Sequence, residues 1–303
     1  MGLFSKTITS ILPFIPPSWI RPFAMKYVAG EDSSAALETV HKLNEQGFSV
    51  TLDLLGEHTE SVERSEVVTG IYCNLYDEIS TRKLDCNISL KLTHLGLGFN
   101  DELAKNNLFE ILSKAEEHQN FMRIDMENSP FTDETLELVE MCKSKYQNVG
   151  PVLQAYLRRS ENDLTQLMMN NLKVRICKGI YRESSEIAFQ DRDKIRTNFI
   201  RLVQSALSGG ANAGIATHDL YLIDTLETWI KNKNITKDRY EFQVLYGVPM
   251  KGRVNVLKSE GHKVRIYVPF GDEWYDYSIR RLKENPNIAG YILKNLFTKN
   301  DRP

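Results

Sequence analysis

The chain has 303 residues, of which 42% are hydrophobic and 26% are charged, and its formal net charge is −2. This length supports one large α/β domain, and the near-neutral charge gives no general attraction for nucleic acid. The four cysteines are widely spaced and the six histidines show no His-Glu-x-x-His pattern. We therefore expect reduced thiols, no motif-defined metal site and no nucleic-acid partner.

The first 30 residues are apolar and aromatic, but Pro13, Pro16 and Pro17 interrupt them. They lack a clean signal-peptide core and cleavage site, and no apolar run in the chain reaches the roughly 20 residues of a membrane span. Two interpretations are open: an arm packed on the domain, or a segment lying on a membrane surface. We expect a cytoplasmic protein, which under the second interpretation is peripheral on the inner face of the plasma membrane.

Short apolar runs alternate with amphipathic helical patterns from residue 49 onward, after one helical pattern at residues 33–46. This alternation is typical of βα units. The predicted strands are residues 49–55, 86–92, 121–125, 151–156, 173–177, 213–217, 241–245 and 264–269. The predicted helices between and after them are residues 61–80, 101–119, 132–146, 161–172, 184–208, 220–233, 250–260 and 272–284.

Eight βα units in about 240 residues predict a TIM-like (β/α)8 barrel. We expect residues 1–48 to form an N-terminal helical arm or cap and residues 49–303 to form the catalytic barrel, within a single domain overall. An open doubly wound sheet is the alternative. Its glycine-rich first turn is missing, and Gly96-Leu-Gly98 is followed by Asp101 where the dinucleotide fingerprint needs a third glycine.

Polar side chains occur near the end of nearly every predicted strand. Burying such groups costs free energy unless a partner or ligand compensates them, so their repetition predicts a ligand at the barrel mouth. The excess of cations among them suits a phosphorylated cofactor and a carboxylate substrate. The residues are Lys91, Asp125, Gln154, Arg175, Lys178, Thr217, His218, Gln243 and Tyr267.

Three further features bear on the ligand. Gly179, directly after Lys178, would let the backbone approach a pyrophosphate closely. The adjacent Arg280 and Arg281 suit a carboxylate bound at two points, although an isolated Arg-Arg is more often a solvated basic face. Lys91 is also a candidate for a Schiff base, as in barrel aldolases, if its pKa is depressed.

The strand-end motifs resemble the flavin-dependent proline dehydrogenase family over roughly residues 45–290. The absence of a following aldehyde-dehydrogenase half resembles the monofunctional bacterial branch. The matching segments, which follow one another with βα spacing, include Leu55-Gly-Glu-His58, Lys91-Leu-Thr-His-Leu-Gly96, Arg123-Ile-Asp-Met-Glu127, Arg175-Ile-Cys-Lys-Gly-Ile-Tyr-Arg182, Ala216-Thr-His-Asp219, Arg265-Ile-Tyr-Val-Pro-Phe-Gly271 and Arg280-Arg-Leu-Lys-Glu-Asn-Pro286.

The resemblance implies oxidation of L-proline to Δ1-pyrroline-5-carboxylate, the first step of proline catabolism to glutamate. A noncovalent FAD would accept a hydride at flavin N5 and pass electrons to a membrane quinone. The catalytic residues implied are Lys91, Asp125, Tyr267, Arg280 and Arg281. All of these except Asp125, together with Tyr181 and Leu245, would bind proline. The residues implied for cofactor binding are Gln154, Arg175, Lys178, Gly179, Thr217, His218, Gln243 and Glu284.

Two positions depart from the family pattern. Arg182 stands where bifunctional relatives have tryptophan, and Asp219 stands where some relatives have asparagine. Tyr267 is the choice typical of proline rather than hydroxyproline. The alternative functions are a flavin-dependent folate reductase, a Schiff-base aldolase acting through Lys91, and a non-enzymatic barrel that binds a membrane surface.

Overall fold

The computed structural model describes residues 17–168, 171–275 and 277–279. Within them, eight parallel strands pair in chain order and close into a barrel. The last strand pairs with the first from Ser49 opposite Arg265 to Leu54 opposite Phe270, which confirms the predicted barrel and excludes the open sheet. The strands are β1 (Ser49–Leu54), β2 (Cys86–Leu90), β3 (Met122–Ile124), β4 (Val149–Gln154), β5 (Lys173–Cys177), β6 (Asn212–Ala216), β7 (Tyr240–Leu245) and β8 (Val264–Phe270).

The helices begin where side chains satisfy the free N–H groups of a first turn. Ser61 accepts a hydrogen bond from the N–H of Arg64, and Asn100 accepts one from the N–H of Leu103. The α-helices whose bounds lie within the described residues are α1 (Pro17–Ala24), α2 (Ser33–Glu45), α3 (Val62–Thr81), α4 (Asp101–Glu117), α5 (Thr132–Lys145), α6 (Ser160–Leu167), α7 (Arg192–Ser208), α8 (Leu220–Asn232) and α9 (Arg253–Ser259). Residues 274–275 and 277–279, in the predicted helix 272–284, are also helical.

The predicted start of α7 at residue 184 is wrong. The helix begins at Arg192 because the Asp191 carboxylate accepts hydrogen bonds from the N–H groups of Asp193 and Lys194, which caps the first turn at that point. Residues before Asp191 form a turn that bridges back to the barrel through Leu157 and Ala188. The correct start brings the first turn of α7 to the carboxyl end of β5.

The helices that precede β1 pack on the barrel in two different places. The buried residues of α2, Ala36, Leu37 and Val40, belong to the main core, and the helix lies against β1 and β8. Ile20 and Ala24 of α1 belong to a smaller apolar cluster. The division of the chain at residue 48 stays a prediction.

Successive side chains of each strand point alternately to the helices and to the barrel interior, which are two different environments. On β1, Val50 and Leu52 are completely buried in the apolar core with the helices, whereas Asp53 faces the barrel interior. The interior is unusually polar, because several strands place charged or amide side chains there. None of the helices in the described ranges has both the length and the apolar character needed to span a membrane.

Candidate active site

A cavity with a volume of about 610 Å³ opens at the carboxyl ends of the strands. Arg280, Arg281 and Glu284 lie outside the described residues, as do residues 288–297. Every other predicted site residue lines this cavity: Lys91, Asp125, Gln154, Arg175, Lys178, Gly179, Tyr181, Thr217, His218, Gln243, Leu245 and Tyr267. The barrel therefore brings together side chains that are spread over most of the sequence.

Asp125, which follows β3, accepts hydrogen bonds from side chains of three other strands, β2, β5 and β8. Its Oδ1 accepts hydrogen bonds from Arg175 Nη1 and Ser89 Oγ, each at 2.7 Å. Its Oδ2 accepts one from the hydroxyl of Tyr267 at 2.9 Å. Burial, together with the charges of Asp125 and Asp53, raises the pKa of Tyr267 well above its usual value, so the phenol stays protonated and remains a donor.

Lys91 forms a buried ion pair with Asp53, whose Oδ1 lies 2.8 Å from Lys91 Nζ. Burial alone would lower the pKa of Lys91, but attraction by Asp53, Asp125 and Glu57 outweighs it and raises the pKa well above its usual value. A Schiff-base lysine needs the opposite shift, so the geometry does not suit an aldolase. Asp53 was not among the predicted site residues, although the alternation of β1 indicates its inward orientation.

Arg175 and Gln243 join the cavity to the centre of the barrel. Arg175 Nε donates to Gln243 Oε1 at 2.6 Å, and Gln243 Nε2 donates to Glu241 Oε1 at 2.7 Å. The same Glu241 oxygen accepts a hydrogen bond from Arg265 Nε at 2.7 Å. Burial alone would raise the pKa of Glu241, but the charge of Arg265 lowers it to about 2, so the carboxylate is ionised at neutral pH.

A second charged group surrounds Asp219 at the edge of the cavity. Lys178 Nζ lies 2.6 Å and Arg196 Nε 2.9 Å from its Oδ2, and Arg192 Nη2 lies 3.7 Å away. Burial alone would raise the pKa of Asp219, but hydrogen bonds from Arg196 and Lys178 lower it. Three cations therefore surround Asp219, and Arg196 also pairs with the exposed Asp193 at 3.3 Å, so the edge keeps an excess of one positive charge.

The sequence analysis missed Arg192 and Arg196 as members of this group. They are four residues apart and share one face of α7. The predicted helix start at residue 184 placed both in the middle of a helix, which concealed their position beside the mouth. Asp219 precedes α8 as its N-cap residue, but its side chain makes no capping hydrogen bond because the cations bind it instead.

The remaining wall of the cavity is aromatic and apolar. Tyr181, Leu245, Tyr267 and Tyr277 line it. His218 Nε2 accepts a hydrogen bond from the N–H of Leu245 at 2.9 Å, so this histidine fixes the backbone that carries the leucine. Arg182 is not among the described residues that line the cavity.

Two features of the cavity suit a flavin. Gln154 is 2% exposed, and its Oε1 has no hydrogen-bond partner among the described residues, while Nε2 donates to the carbonyl of Met126 at 3.1 Å. A buried acceptor without a donor calls for a ligand N–H, such as the one on the pyrimidine ring of a flavin. The cationic edge suits the phosphates that follow that ring in FAD.

Gly179 is required by its surroundings. Its φ of +99° is a conformation that other L-residues rarely adopt, and an added Cβ would lie 2.1 Å from Cδ1 of Tyr156. The glycine thus lets the segment after Lys178, which lines the cavity, pass close to Tyr156.

Fold and cavity together define a (β/α)8-barrel enzyme whose site lies at the carboxyl ends of its strands. The family model described as "Proline dehydrogenase" matches residues 36–292. The chain belongs to the proline dehydrogenase family, which confirms both the resemblance and the prediction that it is an enzyme of this kind.

Curated relatives agree with this membership, and a solved structure agrees with the fold. Proline dehydrogenase 2 of Bacillus subtilis is 36% identical over 279 residues, which is 92% of each chain. Proline dehydrogenase of Deinococcus radiodurans is 33% identical over 278 residues, covering 90% of this chain and 89% of the relative. Proline utilization A from Bdellovibrio bacteriovorus, solved after inactivation by N-propargylglycine, shares the fold with a TM-score of 0.83 and 20% identity. The match covers 99% of this chain and 38% of that one.

Proposed function

We propose that the chain oxidises L-proline to Δ1-pyrroline-5-carboxylate with a noncovalent FAD, as the first step of proline catabolism to glutamate. Family membership supports proline as the substrate and a flavin as the cofactor. The observation that carries the proposal is the division of one cavity into two zones. A compact zone contains Lys91, Asp125 and Tyr267, and a cationic edge contains Lys178 and Arg192.

The compact zone is suited to positioning a small ring. Asp125 accepts three hydrogen bonds, so its role in our proposal is to orient Arg175 and Tyr267 and not to act as a free base. Tyr181 and Leu245 would contact the ring faces, and the resemblance assigns the substrate carboxylate to Arg280 and Arg281. Fixing both ends of a five-membered ring converts an encounter into a reactive geometry.

The residues that would hold the cofactor are Gln154, Arg175, Gln243, Thr217 and His218, all of which line the cavity. Lys178, Gly179 and the cationic edge would bind the phosphates, and Glu284 belongs to the cofactor set by resemblance. When bound, FAD supplies the acceptor for the hydride that leaves the ring carbon next to the amine, at flavin N5. In this proposal the buried guanidinium of Arg175, which Asp125 orients, would stabilise the negative charge that develops during the transfer.

We also propose that a membrane quinone takes the electrons and that the protein is cytoplasmic, with peripheral contact to the inner face of the plasma membrane. The support is sequence composition: the first 16 residues and residues 288–297 are rich in apolar side chains. Both segments lie outside the described residues. Binding of the purified protein to anionic liposomes, and reduction of a short-chain quinone in the presence of proline, test these two proposals.

An anaerobic absorbance spectrum before and after L-proline tests the proposed reaction. We expect a flavin band near 450 nm that is bleached by proline without NADH, since the hydride comes from the substrate. Bleaching by NADH alone would favour a folate-reductase type of activity. A colourless protein that is inert to proline would overturn the proposal and favour a non-enzymatic barrel.

A further inference from the structure

A second cavity, here called the lower cavity, opens at the amino ends of the strands, at the opposite end of the barrel from the candidate active site. Its volume is about 280 Å³, smaller than the cavities that bind drug-sized molecules. Cations outnumber carboxylates among its lining residues. Its charged residues are Arg123, Lys173, Lys263, Arg265, Asp238 and Glu241.

Ion pairing inside the lower cavity leaves part of this positive charge uncompensated. Glu241 is engaged by Arg265 Nε at 2.7 Å and by Lys263 Nζ at 3.5 Å. Within the described ranges, neither Arg123 nor Lys173 forms an ion pair with a carboxylate. Asp238 is exposed, so water and salt screen its charge. The unpaired cations are therefore the two that belong to β3 and β5.

Arg123 is a buried cation with one N–H group that has no acceptor among the described residues. Its Nη1 donates to the carbonyls of Pro151 at 2.8 Å and Lys173 at 2.6 Å, and its guanidinium lies 4.5 Å from the ring centroid of Phe121. The side chain is nevertheless 5% exposed, and its Nε has no hydrogen-bond partner among the described residues. Burial and the charge of Arg175 lower its pKa, as expected for a cation that lacks an anion.

Amide groups around Arg123 add donors and few acceptors. Asn148 Oδ1 accepts from Lys173 Nζ at 2.6 Å, and Asn212 Oδ1 accepts from Arg239 Nε at 3.1 Å. Asn148 also interacts with the Tyr146 hydroxyl, so it is Asn212 that retains Nδ2 as a donor, and Lys173 Nζ retains two of its three hydrogens. A site with surplus donors and surplus positive charge is matched by an anion that has several acceptor oxygens.

We propose that the lower cavity binds a small oxyanion, such as inorganic phosphate or a short dicarboxylate, between Arg123 and Lys173. This site is separate from the one that would hold proline and FAD, because the two cavities share no lining residue. The anion would lie against the guanidinium of Arg123, accept a hydrogen bond from Lys173 Nζ and neutralise charge that Glu241 leaves unpaired.

Titration calorimetry with inorganic phosphate, and in parallel with malonate, tests the proposal on the purified, FAD-loaded full-length protein at constant ionic strength. We expect saturable binding of at least one of the two anions to the wild-type protein. Lys173→Met should weaken it about tenfold or more, since a charge-assisted hydrogen bond is lost. Lys173→Arg should retain most of the affinity, and Lys233→Met, at an exposed position, should retain all of it.

Two further variants keep the test decisive. Lys263→Met, at the half-exposed rim, replaces Lys173→Met if the latter does not fold, and should also weaken binding. Lys178→Met lies in the candidate active site and should leave anion binding to the FAD-loaded protein unchanged, because FAD would occupy the cationic edge. Loss of binding in Lys178→Met, with full binding in Lys173→Met, would place the anion in the active site and overturn the proposal. The proposal would also be overturned if neither anion binds saturably to the wild-type protein.

Discussion

Gln243 donates to Glu241 through Nε2 and accepts from Arg175 through Oε1, so a carboxylate deep in the barrel determines which amide atom faces Arg175. A glutamine amide has one acceptor and one donor end, and the ionised Glu241 can accept only from the donor end. The orientation of Arg175 at the candidate active site is thereby linked to a group that no substrate would contact.

Glu241→Gln tests this relationship. We predict a fall in kcat of about tenfold, because the variant side chain can also donate and the amide of Gln243 loses its defined orientation. The KM for proline should change little, since Glu241 does not line the active-site cavity. Steady-state kinetics and the flavin spectrum measure both effects.

Asp238→Asn is the matched control, because Asp238 lines the same lower cavity without contacting Gln243. It should leave kcat unchanged. Equal kinetics for Glu241→Gln and wild-type protein would contradict a positioning role for Glu241.

Arg281→Met should raise the KM for proline while the protein still binds FAD. Loss of one charge-assisted contact of about 1.5–3 kcal/mol lowers kcat/KM by roughly 10- to 150-fold. Arg281→Lys should recover only part of this loss, since an ammonium group cannot reproduce the planar fork of arginine. Unchanged proline kinetics in Arg281→Met, with a normal flavin spectrum, would remove the proposed carboxylate role.

Asp53→Asn should destabilise the fold by about 3–5 kcal/mol, because it leaves Lys91 charged and unpaired in the barrel. The raised pKa of Lys91 contributes stability that is complete below the ordinary lysine pKa and is lost only as the pH rises through the folded value. The effect is therefore expected in full at neutral pH.

Urea unfolding of Asp53→Asn and of the double variant Lys91→Met/Asp53→Asn measures this loss of stability. The double variant should be more stable than the single one because it removes the unpaired charge. A single variant as stable as the wild type would show that the ion pair does not contribute as proposed.

His94 should make stability fall in mild acid. It is completely buried, neither ring nitrogen has a hydrogen-bond partner among the described residues, and burial lowers its pKa to about 3. Above the unfolded histidine pKa of about 6.5, His94 is neutral in both the folded and the unfolded state, and its burial does not reduce stability. Below that pH the unfolded state takes up the proton, and stability falls by about 1.4 kcal/mol per pH unit until the pH approaches the folded value.

Urea unfolding between neutral pH and pH 5 measures this slope. His94→Asn should reduce the pH dependence in that interval, whereas His41→Asn, at an exposed position, should leave it unchanged. Parallel pH profiles for wild type and His94→Asn would show that another group is responsible.

Local patterns were sufficient to predict the architecture. The alternation of apolar runs and helical periodicity predicted eight strands within about two residues of their observed bounds, because burial on both sides of a barrel strand leaves a compact apolar signature. Polar residues at the strand ends identified the mouth of the barrel, because burying them without a hydrogen-bond partner or ligand costs free energy.

The pairing of those residues depended on barrel closure. Lys91 and Asp53 are 38 residues apart, and Arg175 and Gln243 are 68 apart, so no local periodicity relates them. The same holds for Arg192 and Arg196, which reach Asp219 only because Asp191 delays the start of α7. Composition and periodicity alone determined the barrel and the end at which its polar groups collect. The tertiary structure decided which charges neutralise each other and which remain available to a ligand, because Coulomb energies and hydrogen bonds depend on distances in space and not on separation along the chain.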